Sequence, residues 1–183
     1  MIKHLFLKIF LFIFISMNSQ SIDIVNPEND IGLKNWNIVN DDVMGGISKS
    51  YLSLNDENNL IFSGNVSLRN NGGFASTRME LDRESLNGIR FFKIKFRGDG
   101  NIYKLRVRQN NRRAAYSSNF KSVKDKWLEV NIPIDDFTPS WRGYSYSSYP
   151  VIETEKISSI GIQISDKQEG EFKLEIKYIK AIF

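Results

Sequence analysis

Cysteine is absent from the 183-residue sequence, and its single histidine is His4. Without thiols there is neither a disulfide frame nor a thiolate metal site. With the one imidazole at position 4, the rest of the chain has no Ser-His-Asp or Cys-His machinery and none of the usual zinc or copper ligand sets. What survives is carboxylate chemistry, a Lys or Tyr base, or a hard cation held by oxygens. Charge of one sign is also scarce: 25 Lys and Arg stand against 21 Asp and Glu, a formal +4. Lys3 and Lys8 supply two of those charges near the start. Such a balance speaks against a nucleic-acid partner, for which a strongly basic domain is needed.

The first residues, MIKHLFLKIFLFIFISMNSQS, have a short polar start, an apolar run from Leu5 to Ile15 broken by Lys8, and then small polar residues. That is the layout of a secretory signal peptide over residues 1–21, with cleavage near Ser19 to Ser21. The run is shorter than the roughly 20 residues that span a bilayer. It predicts an exported protein, periplasmic or extracellular, with no membrane span after leader removal. Residues 22–183 then form one domain, long enough to bury a core and short for two.

Past residue 50 the period is two. Phe172, Leu174, Ile176 and Tyr178 alternate with Lys173, Glu175 and Lys177, and Leu128, Val130 and Ile132 alternate with Glu129 and Asn131. These are strands buried on one face. Residues 51–54, 60–62, 74–81, 89–96, 102–108, 127–134, 157–164 and 172–179 all read this way, separated by turn signals such as Asn71-Gly72-Gly73 and Gly98-Asp99-Gly100. No segment sustains an apolar 3.6 period over three turns. The fold class is all-β, a single antiparallel β-sandwich of jelly-roll type.

One stretch, WNIVNDDVMGGISKS at residues 36–50, decides whether an enzyme is in view. It fails as a Walker loop, because Gly45-Gly46 is followed by Ile47-Ser48 and a strand instead of Gly-Lys-Ser/Thr and a helix. On an extended chain the adjacent Asp41 and Asp42 point to opposite sides, which disfavours a shared metal ion. A glycosidase pair of Asp41 or Asp42 with Asp136 would need carboxyls roughly 5 to 9.5 Å apart across a cleft. The favoured reading is structural: a turn cap, or a buried ion pair with Arg78, and no catalytic residue, metal or cofactor.

The same residues carry a resemblance. Trp36 with Asn40-Asp41-Asp42-Val43-Met44-Gly45-Gly46, Asn70-Asn71-Gly72-Gly73-Phe74-Ala75-Ser76-Thr77-Arg78, Arg97-Gly98-Asp99-Gly100 and Asp166-Lys167-Gln168 follow in order along the chain. Together they resemble the complex I intermediate-associated protein family. The resemblance implies a galactose-binding-domain-like jelly roll, and for the mitochondrial members an assembly role with no catalytic activity. Related jelly rolls include carbohydrate-binding modules.

Ligand-binding candidates fall in two groups. Arg106 and Arg108, with Lys104, share one face of a strand whose other face carries Tyr103, Leu105 and Val107; Arg112 and Arg113 follow, then Tyr116. Arg78, an arginine inside an apolar strand, stands apart from this cluster as a further candidate. Planar guanidinium forks suit carboxylate or phosphate, so this cluster is either an anion site or a charged, solvated strand face. The loop from Ser140 to Tyr149 holds Trp141, Arg142 and three tyrosines. It either stacks on a sugar or a partner surface, or plugs the end of the sandwich with Trp141 and Tyr144. The sequence thus predicts an exported, non-catalytic binding or assembly module with an unknown protein partner or an acidic glycan as its ligand. The alternative is a carbohydrate-binding module.

Overall fold

The computed structural model describes residues 20–82, 84–141, 144–146 and 148–183. Residues 1–19, most of the expected leader, and Arg142 lie outside the described residues. The strands run in chain order as β1 Ser21–Val25, β2 Trp36–Ile38, β3 Lys49–Leu54, β4 Leu60–Val66 and β5 Ala75–Glu80. Then come β6 Phe91–Arg97, β7 Ile102–Gln109, β8 Ala115–Lys121 and β9 Trp127–Pro133. β10 Thr138–Trp141, β11 Tyr144–Ser145, β12 Ile157–Ile164 and β13 Gly170–Ile182 complete the set. The connections hold short 3-10 turns, among them Asp41–Met44 and Arg69–Asn71.

Two antiparallel sheets result. One has the order β3-β4-β13-β6-β9, with β1 also on β13; the other has the order β11-β10-β8-β7-β12-β5-β2. β13 is 13 residues long because one of its edges serves two partners, β4 along Gly170 to Ile176 and β1 along Ile179 to Ile182. The period-two pattern drives the sandwich: Tyr103, Leu105 and Val107 turn inward with Ile160 and Ile162, against Phe96, Leu174 and Ile176 of the other sheet, all fully buried. Phe96 meets Phe120 edge-on at 4.8 Å, and Tyr103 meets Phe172 at 6.5 Å, so aromatic rings bridge the layers.

The all-β antiparallel sandwich is the fold read from the sequence. The strands that reading omits are β1, β2, β8 and the β10–β11 hairpin. β8 reads Ala-Tyr-Ser-Ser-Asn-Phe-Lys, rich in small polar residues with no β-branched side chain, and it forms because β7 offers a full ladder from Ile102 to Arg108. Propensity is overridden there by pairing.

Candidate functional site

The motif at residues 40–46 folds as a loop clasp. Asp41 is 0% exposed and sits in a 3-10 turn, which turns the neighbouring Asp42 out to solvent; the chain is not extended there. The Asp41 carboxylate accepts from Ser48 N (2.9 Å), Ser48 Oγ (2.5 Å), Gly73 N (2.7 Å) and Phe74 N (3.2 Å). Burial alone would raise its pKa, but the bonds from Ser48, Gly73 and Phe74 outweigh that and hold it below the usual carboxylate range. The glycines make the room. A Cβ on Gly46 would lie 2.3 Å from the Asp41 carboxyl, and one on Gly72 would lie 2.7 Å from Asp41 Oδ2. Gly45 (φ 90°) and Gly73 (φ 134°) occupy backbone conformations that disfavour side chains. Trp36 donates Nε1–H to the Gly32 carbonyl at 2.7 Å and packs on the core.

The ion pair expected between Asp41 or Asp42 and Arg78 does not form. Arg78 Nε lies 3.2 Å from Glu80, its neighbour two residues along β5 and so on the same face. Asp41 is occupied by neutral donors instead. Of the two alternatives, the turn-cap reading describes the geometry, with the cap joining the β2–β3 and β4–β5 loops.

The structure brings Arg78 to the Arg106 and Arg108 pair, a grouping the sequence did not suggest. The three point outward from the seven-stranded sheet around a shallow pocket of about 50 Å³, lined also by Val39, Ser76, Thr77, Ser159 and Gly161. Gly161 on β12 pairs with Arg78 on β5 and with Arg106 on β7, so it lies between the two arginines. A Cβ there would sit 2.5 Å from the Thr77 carbonyl. This glycine, together with Ser159 and Glu80, escaped the sequence reading; an isolated glycine between Ile160 and Ile162 was the available signal, since glycine inside a strand marks close backbone approach. Lys104, on the same face, is neutralised by Asp166 at 2.8 Å, and Arg112 is paired with Glu153.

Tyr116 does not join this group. It is 0% exposed on the inner side of β8, donating its hydroxyl to the Pro150 carbonyl at 2.8 Å, so the ligand role assigned to it is corrected to a core one. Alternation on β8 carries Ser117, not Tyr116, to the arginine face.

Trp141, 38% exposed, ends β10 in the edge hairpin and lines a depression with Arg112, Arg113, Tyr146 and Tyr149. Trp141 and Tyr144, the residues expected to plug the sandwich end, stand 38% and 71% exposed, and it is Tyr149 that packs against the core and meets Tyr116 at 6.1 Å. The segment divides between the two alternatives. The tripeptide Arg97-Gly98-Asp99 is structural: Arg97 pairs with Glu175 at 2.6 Å, and Asp99 accepts from Tyr103 Oη and Lys173 N.

Comparison with known proteins adds the following. The model of the family described as complex I intermediate-associated protein 30 (CIA30) matches residues 22–176. The chain is 30% identical over 156 residues to a probable complex I intermediate-associated protein 30, mitochondrial, of Caenorhabditis briggsae, covering 73% of this chain and 46% of that protein. It is 27% identical over 172 residues to the complex I intermediate-associated protein 30, mitochondrial, of Mus musculus, covering 80% and 52%. The chain therefore spans about half the length of the curated relatives it matches. Among solved structures, the family 11 carbohydrate-binding module of the cellulosomal cellulase Lic26A-Cel5E of Clostridium thermocellum superposes with TM-score 0.65 at 14% identity, covering 90% of this chain and 94% of that one. A mutant of a family 29 carbohydrate-binding module gives 0.57 at 10% identity, covering 90% and 92%. At such identities the likeness is one of fold.

The curated relatives are mitochondrial proteins, and this overturns the exported location, periplasmic or extracellular, read from residues 1–21. The relatives point to a mitochondrial location instead. An apolar run with scattered lysines records hydrophobicity, a property that does not by itself name a compartment.

Proposed function

The chain belongs to the complex I intermediate-associated protein 30 family, and from that premise we propose that it is a non-catalytic binding module in the assembly of respiratory complex I. One observation carries the reading: the family match runs over residues 22–176, nearly the whole sandwich. The site chemistry is in keeping with it. The most distinctive acidic motif is consumed in holding loops together, and the outward arginines offer charge for recognition. Deleting the gene and resolving respiratory complexes on native gels tests the proposal. Subcomplexes of complex I should accumulate, and the intact chain supplied in trans should clear them. Unaltered complex I in the deletion strain would remove the assembly role.

The fold shared with carbohydrate-binding modules, together with Trp141 beside Tyr146 at the hairpin edge, supports a second reading as a carbohydrate-binding module. Retardation in polysaccharide gels, abolished by Trp141→Ala, would favour it. Free migration of the folded protein through those gels would leave the assembly role alone.

A further inference from the structure

One row of side chains crosses the outer face of the seven-stranded sheet: Asn37, Arg78, Gly161, Arg106, Ser117 and Thr138, one each from β2, β5, β12, β7, β8 and β10. Strand spacing of about 4.8 Å places the Arg78 and Arg106 backbones roughly 10 Å apart astride Gly161, with Arg108 about 7 Å further along β7. The charges of this row are not balanced. Lys93, Arg97, Lys104, Arg112, Lys156 and Lys180 each meet a carboxylate. Arg106, half-buried, has no ion pair and no hydrogen bond among the described residues. Burial, then the charges of Arg108 and Arg78, pull its pKa down to about 10. Arg108 is lowered for the same kinds of reason, burial first and Arg78 second. Glu80 sets one negative charge against three positive ones. Even so, Arg78 Nε, 3.2 Å from Glu80, is buried without a hydrogen bond, because its N–H does not align with that oxygen.

We propose that this face docks an acidic peptide segment of a partner protein, carboxylates two residues apart engaging Arg106 and Arg108 while Arg78 takes a third. The inference deepens the reading of the chain as a protein-binding module and rests on it. An extended peptide sets alternate side chains on one side about 7 Å apart, the same repeat as Arg106 and Arg108 on β7. Each guanidinium fork can hold a carboxylate through two bonds. Among the described residues no aromatic ring lines the pocket, so a sugar ring has none of them to stack on. Gly161 leaves the floor between the arginines open, and any larger residue would collide with the Thr77 carbonyl.

The test uses the full chain and a fluorescein-labelled peptide of alternating glutamate and glycine, read by fluorescence anisotropy at low salt. Arg106→Gln should weaken binding at least tenfold and Arg106→Lys several-fold, since lysine keeps the charge but loses the fork. Lys49→Gln, an equal change of net charge on the other sheet, should alter it less than twofold. The melting temperature of Arg106→Gln should hold or rise, because an uncompensated charge has been removed. Absence of peptide binding, or equal losses in Arg106→Gln and Lys49→Gln, overturns the proposal. So does displacement of the peptide by inorganic phosphate or polygalacturonate at a lower concentration of anionic groups than unlabelled peptide requires; the site then belongs to a small oxyanion or an acidic glycan. In the deletion strain, full rescue by Arg106→Gln overturns the docking site and spares the assembly role. A deletion without phenotype strikes the assembly role and leaves the peptide titration standing on its own.

Discussion

Asp41 shows how one buried side chain can fix two loops to each other. Its carboxylate gathers donors from Ser48, Gly73 and Phe74, in loops that precede β3 and β5. Asp41→Asn replaces one acceptor oxygen by a donor that faces the N–H groups already there. Hydrogen bonds to a charged group contribute about 1.5–3 kcal/mol each, so the substitution should cost roughly 3 kcal/mol, visible as a lower urea midpoint at unchanged slope. Asp42→Asn, on the exposed neighbour, should shift that midpoint negligibly. Equal effects of the two would contradict the clasp. Gly72→Ala offers an independent check, since its Cβ would meet Asp41 Oδ2 at 2.7 Å and the Ser67 carbonyl at 2.6 Å. It should destabilise by about 1–3 kcal/mol through overpacking.

At the scale of elements, β12 and β13 organise the two sheets. β12 lies between β5 and β7 and places Gly161 beneath the arginines. Gly161→Ala drives a methyl into the Thr77 carbonyl at 2.5 Å, and β5 must move away or the ladder must open. A loss of about 1–3 kcal/mol is expected in thermal unfolding. In β13, Ile176 is fully buried where β4 and β6 both pair with it. Ile176→Ala should cost about 2–5 kcal/mol, the range for truncating a buried aliphatic residue. An unchanged melting curve would mean that this position is not at the centre of the core.

For the whole molecule, acid stability follows from its carboxylates. Bonds from Lys156 and Arg112 hold Glu153 down at about 2. Asp41 and Glu175 are lowered despite burial, the latter by Arg97 and Asn59, and Glu129 is lowered mainly by Tyr178. A carboxyl whose folded pKa lies below its unfolded value contributes stability that is fully present above the unfolded value, near about 4. That contribution is lost as pH falls through the folded value. The melting temperature should therefore be flat from these groups between about pH 5 and 8, then fall between about pH 4 and 2. A melting temperature that held steady down to pH 2 would show these bonds to be unimportant in solution. Among the described residues no helix is long and apolar enough to cross a membrane.

The sequence by itself determined the sandwich, because alternation is a local property. A strand buried on one face must write its core into every second residue, and Tyr103-Leu105-Val107 does so as plainly as Phe172-Leu174-Ile176. It also placed Arg106 and Arg108 on one face, for the same reason. The motif at residues 40–46 was legible as a turn with structural glycines. Its partners were not, since Ser48, Gly73 and Phe74 reach Asp41 across separations of 7 to 33 residues. Tertiary structure decided that Asp41 meets Ser48, Gly73 and Phe74 and not Arg78, and that Tyr116 belongs to the core. It also decided that Gly161 separates two arginines lying far apart along the chain. Each of these depends on strand order and register across a sheet, which arise from long-range pairing and leave no period in the sequence.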